Sequence, residues 1–219
     1  MRTGIGTGRG MAILNVPATK SALLGLRRQL ELAEEGYSLL DRKRELLLLE
    51  LGKVTGRAAR ERAAAMKVLA RAAAALRGAE LDAGSAALDR AALGSGPGHR
   101  VEVREKRFMG VNMPEATAVV ERQGARFGPG GTPAGADAAM KAFAEALPPL
   151  GSLAGLDTSA ARLARELKKT QRRCNALSKK LIPDCRETIA FLGGSLEERE
   201  RESFVILKMV RNRLRLARG

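Results

Sequence analysis

The chain has 219 residues, of which 45% are apolar, and a formal net charge of +15. Leu and Ala supply most of the apolar content, while aromatics amount to 3%, with no Trp, one Tyr (Tyr37) and one His (His99). Such a composition excludes a thick globular core and favours long helices, because Ala, Leu, Arg, Glu and Lys lose little rotamer freedom in a helix. No apolar run reaches the roughly 18 residues that span a bilayer. The positive charge suits a polyanionic or acidic partner without choosing between nucleic acid, an anionic membrane face and an acidic protein surface.

Residues 1–10, "MRTGIGTGRG", lack the apolar core of a secretory signal, so the expected location is cytoplasmic. The glycines do not form the G-x-G-x-x-G pattern and follow no strand, and the segment is expected to be a disordered extension.

Residues 11–78 are expected to form a long helix. From Ser21 to Arg77 there is no Pro. A heptad counted from Leu23 has a positions Leu23, Leu30, Tyr37, Arg44, Leu51, Ala58, Ala65 and Ala72. Its d positions are Leu26, Ala33, Leu40, Leu47, Val54, Glu61, Val68 and Ala75. Only Arg44 and Glu61 of these sixteen are not apolar, and a seam sustained over eight heptads predicts a coiled coil about 80 to 90 Å long.

Residues 79–154 read as a small middle knob. "GSGPGHR" (Gly94 to Arg100) and "FGPGGTPAG" (Phe127 to Gly135) carry helix-ending residues. Between them Val101 and Val103 alternate, followed by Phe108, Met109 and Val111 before Pro114. That pattern predicts two short strands or extended segments, which a tight turn would make a hairpin.

Residues 155–219 read as a second coiled-coil helix. Its stripe runs Leu156, Ala160, Leu163, Leu167, Thr170, Cys174, Leu177 and Leu181. At Pro183 the phase slips by one residue, and Ile182, Cys185, Ile189, Leu192 and Leu196 continue it; proline removes a donor, so a kink or local break is expected there. Gly193 and Gly194 mark a second weak point. Phe204, Leu207, Val210 and Leu214 resume the stripe. Cys174 and Cys185 lie about 16 Å apart on one helix, beyond disulfide reach, and fit small core residues of a reduced protein. The fold class is therefore all-α dominated: a long antiparallel two-helix coiled coil of N- and C-terminal helices, with a small middle knob.

"LEERERESF", Leu196 to Phe204, places six alternating charges inside this second helix. Glu197 with Arg201 at i,i+4, and Glu198 with Arg201 and Arg199 with Glu202 at i,i+3, are candidate pairs worth about a few tenths of a kcal/mol each. A solvated helix face is the plain explanation.

No constellation for catalysis is visible. His99 sits in a Gly/Pro loop without a Cys to share a metal. Gly52-Lys53 is followed by Val, not Ser or Thr, and lies in the heptad stripe. No catalytic residue, cofactor or metal is expected. "KKTQRR" (Lys168 to Arg173) and "KMVRNRLRLARG" (Lys208 to Gly219) keep a nucleic-acid-binding or free-standing basic scaffold reading open, although acidic residues interrupt most basic stretches and stacking aromatics are missing.

Two blocks carry a family resemblance. "MAILNVPATKSALLGLRRQLELAEEGYSLLDRKRELLL" spans Met11 to Leu48, and "LKKTQRRCNALSKKLIPDCRETIAFLGGSLEERERESFVILKMVR" spans Leu167 to Arg211. They resemble the D subunit of the archaeal and bacterial V-type (A/V-type) rotary ATPases, the counterpart of the gamma axle of F-type enzymes. "GVNMP" in the middle looks like the family's G-V-x-x-P. The resemblance implies a non-catalytic rotor. Its paired terminal helices would enter a hexamer of catalytic A and B subunits, and the F and C subunits would hold it and link it to the membrane ring. It also implies a location peripheral to the membrane, with no direct insertion and no nucleic-acid partner. Candidate partner contacts on that reading are Arg172, Arg173, Glu197, Glu198, Arg199, Glu200, Arg201, Glu202, Arg213 and Arg215.

Overall fold

A computed structural model describes residues 16–94, 98–121 and 134–216. The elements are α1 (Lys20–Ala83), α2 (Ser85–Gly94), β1 (His99–Phe108), β2 (Val111–Val120), α3 (Ala134–Ala176), a π-helical turn (Leu177–Leu181) and α4 (Ile182–Leu216). The expected disordered extension at residues 1–10 lies outside the described residues, as do parts of the two Gly/Pro-rich loops.

Helix α1 begins where Thr19 accepts a hydrogen bond from the Ala22 N–H at 3.2 Å through its Oγ1, an N-cap that satisfies one of the free donors of the first turn. It ends six residues beyond Arg77, at Ala83. Gly84 follows with φ 77 and its N–H bonded to the Glu80 carbonyl at 2.8 Å. A left-handed residue there terminates a helix cheaply only as glycine.

Two compact units divide the chain. One contains the chain up to Arg44 with Lys169 onward, and the other contains Glu45–Lys168. In the first, α1 lies antiparallel to the end of α3 and to α4. Arg44 donates to Gln171 at 3.5 Å, Arg186 pairs with Glu34 at 2.6 Å and Lys20 pairs with Glu200 at 2.7 Å. The buried side chains of this unit include Leu26 and Ala33 on α1 and Cys174, Ile182, Cys185, Thr188 and Leu192 opposite. Arg44, at an a position, is satisfied by Asp41 at 2.7 Å as well as by Gln171. A polar a position of this kind ties the helices to one register.

The phase slip takes the form of a π-helical turn instead of a break. Ile182 donates its N–H to the Leu177 carbonyl, one residue further back than in an α-helix, and this inserts the extra residue that the stripe requires. Pro183 follows at once, and the wider turn relieves the crowding between its ring and the preceding carbonyls. Downstream of it Thr188, not Ile189, takes the fully buried position. Its hydroxyl stays satisfied by donating to the Asp184 carbonyl at 2.7 Å. Helix α4 runs without interruption through Gly193 and Gly194.

In the second unit, α1 and α3 again run antiparallel, with Arg62 paired to Asp157 at 2.8 Å. Leu47, Val54, Val111, Met113 and Leu163 form the buried cluster, and Leu51, Phe108, Leu156, Ala160 and Leu167 pack around it. Further along α1 the seam changes from Leu to Ala, with Ala58, Ala65, Ala72 and Ala79 buried against a face that offers Ala136, Ala139 and Ala146. Small residues let the backbones close in, so a Cβ on Gly135 would stand 2.8 Å from that of Ala79. None of the sixteen seam positions read from the sequence of α1 is exposed.

Helix α3 starts at Ala134, well before the Leu156 at which its stripe becomes periodic, and passes through Pro148 and Pro149. The two prolines deprive the Ala144 and Glu145 carbonyls of their helical donors. Buried contacts on either side hold the helix together, with Ala139 and Ala146 before the prolines and β2 resting on Gly151 and Gly155 after them.

Strands β1 and β2 pair as an antiparallel hairpin that turns at Met109 (φ 48) and Gly110 (φ 84). Two positive φ angles in a two-residue loop match the right-handed twist of the strands. The strands are longer than the short segments expected, because Pro114 lies within β2 and does not end it. Its carbonyl accepts from Ser159 Oγ at 3.1 Å, so it sits on the edge that faces α3, where a missing N–H breaks no ladder bond.

Two pairs of substitutions test this packing. A Cβ at Gly155 would lie 2.7 Å from the Ala116 nitrogen, whereas Gly193 has nothing within 4 Å. Gly193→Ala should therefore raise stability by up to about 1 kcal/mol, as helix propensity dictates, and Gly155→Ala should lower it; paired thermal melts read the opposite signs. Leu47 is fully buried and Leu39 is 65% exposed. Leu47→Ala should cost about 2–5 kcal/mol and Leu39→Ala no more than about 0.5 kcal/mol, measured by denaturant unfolding.

Candidate partner-binding surface

The ten charged residues singled out in the sequence lie on two helices. Arg172 and Arg173 are exposed on α3, and Glu197, Glu198, Arg199, Glu200, Arg201, Glu202, Arg213 and Arg215 are exposed on α4. The run "EERERE" is only partly self-paired. Arg201 meets Glu198 at 3.5 Å, as the i,i+3 spacing predicts. Arg199 instead reaches across to donate to the Ala18 carbonyl at 2.9 Å, and Glu200 takes Lys20, so Arg199 is directed to the start of α1 and not to Glu202. Two charges of the run thus fasten the N-terminus of α1 to α4.

The hydrogen bond that Lys20 donates to Glu200, and the negative charge of that carboxylate, hold the Lys20 ammonium above its ordinary pKa. A raised lysine pKa stabilises the fold below the unfolded value and loses that contribution as pH climbs through the folded one, so the pair is intact at neutral pH. Glu197, Glu202, Arg172, Arg173, Arg213 and Arg215 have no ion-pair partner among the described residues. Both thiols are buried. Burial, with the Asp184 charge adding to it, pushes the Cys185 pKa up, which keeps it protonated and unreactive.

The sequence pattern assigns Phe204, Leu207, Val210 and Leu214 to the seam, and the structure corrects this. Phe204 is 71% exposed and Leu207 64%. The cause is register. The first residue of α1, Lys20, stands opposite Glu200, and α4 continues to Leu216 with no described residue alongside. Val205, Ile206 and Met209 are exposed as well, so this stretch is apolar on more than one face. The signal was available in four consecutive apolar residues, Phe204 to Leu207: no single face of a helix accommodates four in a row, and a helix apolar all round requires cover on all sides. Leu32 and Leu39, seven apart on α1 and outside the seam, are also exposed.

Among the described residues no group of three or more His, Cys, Asp or Glu side chains could hold a metal ion. No helix among them is long and apolar enough to cross a membrane. In the second unit a cleft of about 480 Å³ between α1, α2, β1 and α3 is lined almost wholly by Leu, Ala, Met and Phe, with Asp89 and His99 its only titratable groups.

Long paired helices, with a charged and apolar helix end that no described residue covers, suit a chain that packs against others. Residues 22–212 match the family of ATP synthase D subunits. The chain belongs to this family. It is 36% identical over 204 residues to the A-type ATP synthase D subunit of Pyrococcus furiosus, covering 91% of this chain and 94% of that protein. It is 34% identical over 200 residues to that of Methanopyrus kandleri, covering 90% and 86%, and 35% identical over 204 residues to that of Pyrococcus abyssi, covering 91% and 94%. The family match runs along α4 to residue 212 and so includes most of the exposed apolar end of α4 in this D subunit.

Because the Lys20–Glu200 and Arg186–Glu34 pairs are exposed, salt should screen them while leaving the buried leucines alone. Raising salt to about 1 M, where the screening length falls to about 3 Å, should speed amide exchange in the first turns of α1. Exchange around Leu47 should not change.

Proposed function

We propose that this D subunit is the non-catalytic central-stalk rotor of a V/A-type ATPase. On this reading it transmits torque between ATP hydrolysis or synthesis in a hexamer of A and B subunits and ion translocation through a membrane ring. The F and C subunits are its other partners, the C subunit linking it to the ring, and the chain works peripheral to the membrane on the cytoplasmic side without entering it. The observation that supports this most is the end of α4, which no described residue covers. Apolar residues exposed around a helix beyond the reach of its partner require a surrounding wall, and a bore supplies one. The charges from Glu197 to Glu202 and Arg213 and Arg215 would then be wall contacts, while Arg172 and Arg173 lie further back on α3.

The physics of coupling follows from asymmetry. A partner shifts an equilibrium only through contacts that differ between its states. A two-helix element has no threefold symmetry, so inside a ring of three A/B pairs it touches each pair differently and biases each site toward a different nucleotide state. Rotation permutes these contacts. Exposed ion pairs contribute little individually, so each angular position is held weakly enough to be left again.

Copurification tests the assignment. The tagged chain should bring down A and B subunits in a fixed ratio, and the isolated chain should show no ATP turnover; turnover that survives removal of contaminants would overturn the non-catalytic role. Deleting Leu214–Gly219 should leave assembly intact and reduce the ATPase rate. Reversing Glu197, Glu198, Glu200 and Glu202 to Lys should impair assembly or coupling more, because it breaks the Lys20 pair and sets like charges at i,i+3 and i,i+4. Reconstitution with simultaneous ATPase and ion-transport assays reads both variants.

A further inference from the structure

The hairpin's two edges are treated differently by the rest of the second unit. The outer edge of β2 is closed by α3. Ser159 donates to the Pro114 carbonyl at 3.1 Å, Arg162 donates to the Asn112 carbonyl at 3.0 Å, and Gly151 and Gly155 bring the α3 backbone against the Ala118 and Ala116 nitrogens. The even-numbered residues of β2 therefore turn their backbone groups away from β1. Because residues opposite each other in an antiparallel ladder either bond each other or both face outward, the register fixes the other edge. Val101 opposite Ala118, Val103 opposite Ala116, Glu105 opposite Pro114 and Arg107 opposite Asn112 point their N–H and C=O groups outward along β1. No described residue covers them, and β1 is exposed from His99 to Arg107.

We propose that this edge of β1 receives an added strand: an extended segment of a neighbouring subunit of the complex, apolar at alternate positions and otherwise acidic. Proteins usually blunt such an edge or cover it, and among the described residues only the β2 edge is covered. Val101 and Val103 are 63% and 58% exposed on the face that carries Ala116 and Ala118 toward α3, so an incoming strand would find apolar side chains to pack beside as well as backbone to bond. The charge pattern selects the occupant. Glu105 is engaged by Asn112 at 3.2 Å and Glu102 by Arg100 at 3.4 Å. Arg104, Lys106 and Arg107 have no ion-pair partner among the described residues, although Arg104 stands opposite Glu115 in register. From Arg100 to Arg107 β1 carries four cations and two carboxylates, so a second copy of β1 would meet its own net positive charge, which disfavours a homodimer and favours carboxylates on the partner strand. This inference rests on membership of a multisubunit complex, but not on which of the other chains supplies the strand.

Hydrogen exchange on the assembled complex and on the isolated chain tests it. The Val101, Val103, Glu105 and Arg107 amides should exchange freely in the isolated chain and at least about tenfold more slowly in the complex, since a ladder bond then blocks them. A complex that assembles while these amides exchange as fast as in the isolated chain overturns the inference and leaves the family assignment standing. Failure to assemble at all bears on the assignment instead. Val103→Pro removes one outward N–H without touching the β1–β2 ladder. It should abolish the protection at the neighbouring β1 positions while circular dichroism and melting stay as in the parent. Reversing Arg104 and Lys106 to Glu leaves the backbone intact and should reduce the protection, and unchanged protection in that variant would refute the acidic partner. Sedimentation should find the isolated chain monomeric with respect to this edge; a dimer lost on Val103→Pro would make the occupant a second copy and overturn the proposal as stated.

Discussion

A helix that offers an apolar side chain every three or four residues for eight heptads cannot remain in water alone, and the burial of that stripe is the constraint on which the rest of this chain depends. Each buried Leu or Val is worth about 1.5–3 kcal/mol relative to exposure, far more than any of the surface ion pairs alongside. Helix α1 is therefore partnered wherever partner sequence exists, and α3 and α4 repeat its periodicity in reverse. Where the two periods fall out of phase, at Ile182, the backbone changes and the stripe does not: a π-helical turn inserts one residue so that Cys185, Thr188 and Leu192 stay buried.

The seam is graded. Leu23, Leu26, Leu30, Leu40, Leu47 and Leu51 give way to Ala58, Ala65, Ala72 and Ala79. Large residues hold helices apart and fill the space between them, whereas Ala and Gly bring backbones close. The hairpin exploits the same device on α3. Gly151 and Gly155 admit β2 at van der Waals distance, and a side chain at either position would collide with strand backbone rather than with a movable side-chain tip. One edge of the sheet is thereby closed by a helix, and no described residue covers the other.

How much of this was legible in the sequence follows from which forces are periodic. The heptad frame kept every seam position of α1 at least partly out of solvent, because burial repeats with the helix. The phase slip at Pro183 was legible for the same reason, although its form was not: a kink and a π-turn give the same shift in the stripe, and only the hydrogen bond from Ile182 to Leu177 separates them. The first half of α3 was hidden because Ala carries little periodic signal, and two adjacent prolines ordinarily disrupt a helix. The destination of Arg199 and Glu200 was hidden because local spacing offers i,i+3 and i,i+4 partners on the same helix. The true partners, Ala18 and Lys20, lie at the opposite end of the chain. Phe204 to Leu207 were misassigned by extending a stripe past the point at which its partner helix begins.

On the rotor reading, the exposure of Phe204 to Leu207 bears on how such a part could turn. A seam that continued to the end of α4 would have buried Phe204, Leu207 and Val210 inside the chain and left a mainly charged exterior. Register denies this, because Lys20 opposite Glu200 leaves the remainder of α4 without described cover, and its apolar residues face outward on several sides. Apolar contact is non-directional, so a surface of this kind can be stabilised by a wall in more than one rotational setting, which bidentate or tightly packed polar contacts would not permit. The charged run from Glu197 to Glu202 behaves differently: several of its charges are tethered to α1 or to each other, and the rest are free to form direction-dependent contacts. On the rotor reading, an apolar tip that tolerates rotation adjoins a charged collar that distinguishes one angle from the next, and both arise where two helices of unequal reach share one seam.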